Sequence, residues 1–197
     1  MTVPLRTIVR PGDPPIEPLT KTRTGPPEPV VYFAYGSNMS TARLRKRMPS
    51  CEPLGIAALP GYALRFHKRS RDKSAKCNAF ASGNNTVIGV LFSFDPAERA
   101  KLDEAEGVGA GYERATVTVI NENGRRRKAL IYLATPDHID DSLKPYGWYK
   151  DFVLAGAREH GLPPEYIADY IESVEATDDP KQDTRQQAAG HAGKSRT

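Results

Sequence analysis

The chain has 197 residues, of which 39% are hydrophobic, and a formal net charge of +4; it is long enough for one domain with a sizeable core. No run of about 18 apolar residues occurs, which excludes a membrane-spanning helix. The positive excess lies at the ends: residues 1–29 hold four basic and three acidic side chains, residues 181–197 hold four and one, and residues 30–180 hold 20 of each. Since nucleic-acid-binding domains concentrate basic residues on their folded part, we expect neither nucleic acid nor membrane as a partner.

The two ends of the chain are predicted to be disordered. Residues 1–29 contain eight of the 17 prolines, and proline fixes φ and lacks a backbone N–H, which predicts a proline-rich disordered arm. Residues 181–197 are rich in Gln, Ala, Gly and Lys and predict a disordered tail, leaving residues 30–180 as the folded domain. The N-terminus has no apolar signal-peptide core, so we expect a cytoplasmic protein. Cys51 and Cys77 lack metal-binding spacing and are expected to be free thiols.

The folded domain opens with a strand, a glycine turn and a helix start. The β-prone residues 30–34 are followed by Gly36-Ser37-Asn38 and then by a helix-like segment, residues 41–48. This succession gathers backbone N–H groups at one point and adds the positive end of a helix dipole, which suits a small anion such as a carboxylate. Taken alone, the motif also fits a buried strand with an ordinary turn.

Two turns are predicted in the next part of the chain. Residues 56–59 and 62–66 flank Pro60-Gly61, and the second run alternates apolar and polar side chains as a half-buried strand does. Asn84-Asn85 predicts another turn. The nearly continuous apolar run of residues 86–94 then fits a central strand.

The most basic stretch of the domain is residues 65–76. It fits three interpretations: a solvated strand end and loop, a positive rim that attracts substrate carboxylates, or a nucleic-acid contact. The third lacks the interleaved aromatic side chains that stack on bases.

A helix is predicted to run to about residue 105 or 106. Asp95 is an N-cap residue, Pro96 fits the first helical position and Glu98 completes a capping box. Gly107 fits the left-handed position that follows a helix. Glu106 therefore lies at the negative end of a helix dipole, which disfavours the ionised form of its carboxyl group, although an exposed glutamate tolerates such a position at a small cost.

The C-terminal part predicts a hairpin and two helices. Residues 115–120 and 129–133 are β-prone and flank Asn123-Gly124, a strong hairpin signal. A helix is predicted over residues 149–160, and Pro164 can open a last one. Because strands outnumber helices and are joined partly by hairpins, the predicted fold class is α+β.

Common catalytic motifs are absent from the sequence. The histidines are scattered without metal-ligand spacing, and there is no Gly-x-Ser-x-Gly elbow, P-loop or dinucleotide fingerprint. Any chemistry is therefore expected to need no metal, no cofactor and no enzyme nucleophile. A reaction in which the nucleophile and the electrophile belong to one substrate molecule meets these limits, and one carboxyl group can move its protons.

Three segments, in order, resemble the γ-glutamylcyclotransferase family, the AIG2-like group. Residues 32–39, Tyr-Phe-Ala-Tyr-Gly-Ser-Asn-Met, resemble its signature loop; residues 102–108 resemble the segment with its catalytic glutamate; and residues 149–163 resemble its C-terminal helix with the preceding tyrosine. The resemblance implies a small mixed β-barrel-like sheet with flanking helices. It also implies a lyase that cyclises a γ-glutamyl amide, releasing 5-oxoproline and a free amino acid or amine.

The resemblance also implies which residues act. Glu106 matches the general acid/base, and no metal or cofactor is implied. The residues that would bind the γ-glutamyl substrate are Tyr35, Gly36, Ser37, Asn38, Met39, Ser40 and Tyr149.

Several alternatives stay open. Asp103 and Glu104 lie close to Glu106 and are rivals for proton transfer, and Tyr112 is a further candidate without an assigned role. The alternative function is a non-catalytic member of the same fold that binds a small ligand or a partner. A homodimer is compatible with the sequence, and the identity of the departing amine is open.

Overall fold

The computed structural model describes residues 27–181. Most of the predicted arm, residues 1–26, and nearly all of the predicted tail, residues 182–197, lie outside the described residues. Within residues 27–181, no helix is long and apolar enough to cross a membrane.

Five strands form a closed barrel in the order β1-β3-β2-β4-β5. Strand β1 pairs antiparallel with β3 and parallel with β5, and the remaining pairs are antiparallel. The predicted α+β class with a small mixed barrel is thereby confirmed. The strands are β1 Val30–Ala34, β2 Glu52–Arg69, β3 Ala75–Phe94, β4 Tyr112–Asn121 and β5 Arg126–Ala134.

Helices flank the barrel. The α-helices are α1 Thr41–Arg45, α2 Arg99–Glu106, α3 Gly147–Glu159 and α4 Pro164–Ile167, the last continuing as a π-helix over Ala168–Glu172. Short 3-10 turns cover Ser37–Met39, Pro96–Glu98 and Pro136–His138. Helix α1 is three residues shorter than predicted, and α3 begins two residues earlier.

Strands β2 and β3 are much longer than the sequence predicts. The turn predicted at Pro60-Gly61 is wrong: these residues lie inside β2, where the pairing with β3 shifts register between Pro60 and Tyr62. Gly61 has φ +82°, a value that permits such a β-bulge. The turn predicted at Asn84-Asn85 is also wrong, because both residues lie within β3. The residues that favour turns thus lie in irregular parts of long strands. The pairing of β2 with β3 continues before and after them, and it outweighs their local turn preference.

The predicted cap and stop of the helix before Gly107 are found, but its first turn, Pro96–Glu98, is a 3-10 helix, and α2 starts only at Arg99. The Asp95 side chain accepts a hydrogen bond from Ala97 N (2.9 Å), and Gly107 is left-handed with φ +70°. The predicted capping box is wrong, because the Asp95 N–H donates to Ser50 Oγ (2.9 Å) and Ser50 Oγ donates to Glu98 (2.6 Å). The Ser50 hydroxyl, which precedes β2, thus links Asp95 and Glu98 in place of the direct hydrogen bond that a capping box would form.

Helix α3 packs directly on residues 35–40, called here the 35–40 loop. Gly156 lies in the middle of α3, and a Cβ built there would be 2.5 Å from the Met39 carbonyl carbon and 2.6 Å from Met39 Cβ. Any larger side chain at position 156 would therefore push the helix and the loop apart. The loop is held from outside the barrel by this close contact.

We predict that Gly156→Ala destabilises the protein by about 1–3 kcal/mol, because overpacking forces the backbone to move. Thermal unfolding followed by circular dichroism measures the effect. Gly147→Ala is the matched control in the same helix: a Cβ there meets no atom within 4 Å, so alanine should be neutral or stabilising. Equal unfolding temperatures for the two variants would contradict the close packing of α3 on the loop.

We also predict that neither cysteine reacts with a thiol reagent in the native protein. Cys51 and Cys77 are free and buried, and burial raises the pKa of both thiols, that of Cys77 to about 12. The thiolate is the reactive form, so at pH 8 both thiols stay protonated as well as shielded. Ellman's reagent should detect two thiols after unfolding in guanidinium and none before it. Rapid labelling of the folded protein would refute this.

Candidate active site

A small cavity of about 30 Å³ lies between the 35–40 loop, the end of α2 and the barrel. A second, outer cavity of about 200 Å³ adjoins it, sharing Ser37, Glu106, Tyr112 and Tyr149. The inner cavity alone has room for little more than water, so a larger ligand must extend into the outer one. The residues lining the inner cavity are Tyr32, Tyr35, Gly36, Ser37, Asn38, Cys77, Glu106, Tyr112, Tyr132 and Tyr149.

The 35–40 loop contributes backbone donors to the inner cavity. Its 3-10 turn is closed by the bond from Met39 N to Gly36 O (2.9 Å). Within residues 27–181, the N–H groups of Gly36, Ser37 and Asn38 have no hydrogen-bond acceptor. Gly36 also permits close packing, since a Cβ there would lie 3.0 Å from Cys77 Cβ. Unpaired N–H groups in a tight turn form a concave site for an anion or a developing oxyanion.

Glu106 is held in a hydrogen-bonded triangle with Asn38 and Arg47. Its Oε1 accepts from Asn38 Nδ2 (2.7 Å) and from the Arg47 guanidinium (2.9 Å), and Arg47 also donates to Asn38 Oδ1 (3.0 Å). The Glu106 side chain is only 16% exposed. Each member of the triangle therefore fixes the other two, and the carboxyl group has a defined position at the boundary between the two cavities.

Two electrostatic effects oppose each other at Glu106. The C-terminal end of α2 disfavours negative charge, as the sequence predicts. The Arg47 guanidinium at 2.9 Å favours it, because an opposite charge at such a distance stabilises the ionised form. The sequence did not reveal this second effect.

The tyrosines of the inner cavity are neutral hydrogen-bonding groups. Burial raises the pKa of Tyr32, Tyr35, Tyr112 and Tyr149, because the phenolate would lose its hydration. Burial likewise raises the pKa of Tyr132. Among the described residues that line this cavity, Glu106 is the only carboxyl group.

Tyr149 lies beside the loop, because a Cβ built at Gly36 would be 3.3 Å from the Tyr149 hydroxyl oxygen. Its hydroxyl oxygen accepts a hydrogen bond from the Cys77 N–H (3.0 Å). The hydroxyls of two neighbouring tyrosines donate to backbone carbonyl groups of the barrel strands. Tyr35 donates to the Tyr132 carbonyl, and Tyr112 donates to the Cys77 carbonyl.

The predicted site residues come together with two exceptions. Tyr35, Gly36, Ser37, Asn38, Glu106 and Tyr149 all line the inner cavity. Met39 and Ser40 line neither cavity, because Met39 is buried in the core and Ser40 N faces Gly156 of α3. The Asn38 side chain bonds to Glu106, so it supports the carboxyl group.

The two rival acids lie elsewhere. Asp103 accepts the Tyr132 hydroxyl (2.7 Å) and pairs with Arg114 (2.6 Å), while Glu104 is exposed. Tyr112 does line the cavity. Sequence reasoning missed Arg47, whose only signal was its place in the basic run of residues 43–47. Within residues 27–181, no group of three or more His, Cys, Asp or Glu is placed to hold a metal ion.

Comparison with known proteins identifies the family. The model of the AIG2-like family matches residues 86–170. Human gamma-glutamylcyclotransferase is 34% identical over 166 residues, covering 80% of this chain and 86% of the human protein. The bovine protein of the same name is 32% identical, covering 77% and 81%.

The fold is also found among solved structures. A structure described as a gamma-glutamyl cyclotransferase superimposes with a TM-score of 0.70 at 29% identity, covering 81% of this chain and 99% of the other. Together with the identity to the human and bovine proteins over most of their length, this shows that the chain belongs to the γ-glutamylcyclotransferase family of the AIG2-like group.

Proposed function

We propose that the protein is a γ-glutamylcyclotransferase-type lyase that cyclises a γ-glutamyl amide without a metal or cofactor. The products are 5-oxoproline and a free amino acid or amine. The observation that carries the proposal is a single carboxyl group, Glu106, in the same cavity as residues 36–38, whose backbone N–H groups are unpaired among the described residues. Membership in the family supports it.

The carboxylate of Glu106 acts first as a general base. It takes a proton from the α-ammonium group of the substrate, and the resulting amine attacks the γ-carbonyl carbon. A C–N bond forms, and the carbonyl π electrons move to the oxygen. Because the nucleophile and the carbonyl belong to one molecule, the protein needs only to hold the folded rotamer.

The same carboxyl group then acts as a general acid. The oxyanion collapses, the bond to the departing nitrogen breaks, and that nitrogen is protonated. Overall the attacking nitrogen loses two protons and the departing nitrogen gains two, so Glu106 ends in its starting state. Backbone N–H groups of the 35–40 loop stabilise either the oxyanion or the α-carboxylate, and the Tyr149 hydroxyl is a further donor.

We predict that Glu106→Gln lowers kcat on γ-glutamyl-alanine by about 10²–10⁴-fold, since glutamine keeps the shape but cannot move protons. Release of 5-oxoproline, followed by chromatography, measures the rate. Glu104→Gln is the matched control, two residues away and exposed, and should retain the wild-type rate. Equal rates for the wild type and Glu106→Gln would show that another group transfers the proton. No turnover of any γ-glutamyl compound would favour a non-catalytic binding protein.

We further predict that Arg47 positions the carboxyl group. Arg47→Met should lower kcat by about 10–100-fold, because a small displacement of a catalytic group is costly, with little change in KM. Arg45→Met is the control: Arg45 lies two residues earlier, at the end of α1, but forms an exposed pair with Glu52 (3.2 Å), so its loss should leave kcat unchanged. A fall in unfolding temperature that accounts for the lost activity of Arg47→Met would mean that Arg47 serves only stability.

A further inference from the structure

The outer cavity lies where the departing half of a substrate must extend. Glu106 lines both cavities, and the unpaired N–H groups belong to residues that line the inner one. If the glutamyl group occupies the inner cavity and its amide lies beside Glu106, the departing amine points into the outer cavity. The walls of that cavity therefore determine which amine is accepted, an argument that rests on the proposed function.

Four cations line the outer cavity, against one carboxylate, Glu106. Arg47 is paired with Glu106 (2.9 Å). Lys76 is paired with Asp72 (2.8 Å) and also bonds to Ser74 Oγ (2.7 Å).

Arg43 and Lys68 complete the set of four. Neither makes an ion pair with any group among residues 27–181. Two positive charges in the cavity wall are therefore unmatched.

Lys68 is held in an unusual position for a lysine. It is 6% exposed, and its ammonium lies 4.7 Å from the centre of the Tyr112 ring. Burial lowers its pKa, because the charged form loses hydration. The register shift between Phe66 and Lys68 in β2 is the kind of bulge that re-aims a side chain. An unpaired charge at such a place costs stability, which an anionic ligand would offset.

Arg43, on α1, is half-buried. Its guanidinium lies 4.7 Å from the centre of the Phe152 ring, and its Nε is buried without a hydrogen-bond partner among the described residues. Burial lowers its pKa as well. Two desolvated cations from different elements, α1 and β2, thus line one cavity.

We propose that the outer cavity selects γ-glutamyl compounds whose departing amine carries two negative charges, with Lys68 and Arg43 binding those charges. An amine with two carboxylates, such as an acidic amino acid, has this chemistry, and so does an amine with a phosphate group. An uncharged departing amine leaves both cations unpaired and is a poor substrate.

The exposed members of the basic stretch do not contribute to this selection. Arg65 lies on β2 with its side chain in solvent and lines neither cavity. Of the seven basic or histidine side chains in residues 65–76, only Lys68 and Lys76 line the outer cavity. The selection is thus a property of the cavity wall and not of the general positive charge of the loop.

A substrate panel that varies only the departing amine tests the proposal. We would measure kcat/KM for γ-glutamyl-ethylamide, γ-glutamyl-alanine, γ-glutamyl-glutamate and γ-glutamyl-O-phosphoethanolamine, at low and high salt. Because hydrogen bonds to charged groups are strong, the glutamate compound should exceed the alanine compound about tenfold and the ethylamide about a hundredfold. Salt should reduce these ratios. A preference for either dianion supports the proposal, and the better of the two identifies the source of charge.

Substitution of Lys68 and of Arg43 tests whether these two cations are responsible for the selection. Lys68→Met and Arg43→Met should each lower the ratio of kcat/KM for the glutamate compound to that for the ethylamide by about tenfold. Arg65→Met, which removes an exposed charge from the same strand, should leave the ratio unchanged. Wild-type ratios in both cavity variants would overturn the assignment, and the wild-type panel decides the matter even if a variant fails to fold.

The panel separates failure of this inference from failure of the proposed function. Turnover of all four compounds at similar kcat/KM would overturn the inference and leave the lyase activity standing. Release of 5-oxoproline from none of them would reject the lyase activity, and the inference with it.

Discussion

The candidate site depends on the hydrogen-bonded triangle of Asn38, Arg47 and Glu106. Its members come from the 35–40 loop, from the turn after α1 and from the last residue of α2, so the triangle ties three separate segments together. The carboxyl group would otherwise lie at a helix end that disfavours its charge. Arg47 supplies the opposite charge and a second hydrogen bond, and so the carboxyl group has a defined orientation.

The closed barrel supplies the other walls of the inner cavity. Cys77 comes from β3, Tyr112 from β4 and Tyr132 from β5, and closure brings these strands around one space. Helix α3 then presses on the 35–40 loop through Gly156 and contributes Tyr149. Buried tyrosines that stay neutral surround one carboxyl group. This arrangement suits a reaction whose only catalytic need beyond orientation is the movement of protons.

In the proposed function, the two cavities have different tasks. The inner cavity offers neutral donors and backbone N–H groups, which suit the glutamyl part that every substrate of such a reaction shares. The outer cavity offers charge, which suits recognition of the part that differs between substrates. Glu106 lines both, as a group that serves the attacking nitrogen and then the departing one must.

The sequence by itself determined the local elements: the Asp95 cap, the Gly107 stop and the hairpin at Asn123-Gly124 depend on neighbouring residues, and the family motifs identified Glu106 and the 35–40 loop. Only the tertiary structure decided that β2 and β3 continue through their turn-like residues, that Arg47 bonds to Glu106 from 59 positions away, and that Lys68 lines a cavity. The physical reason is that capping and turn preferences act over a few residues. Which charged side chain meets which partner depends instead on strand pairing and barrel closure, which the pattern of a single segment does not contain.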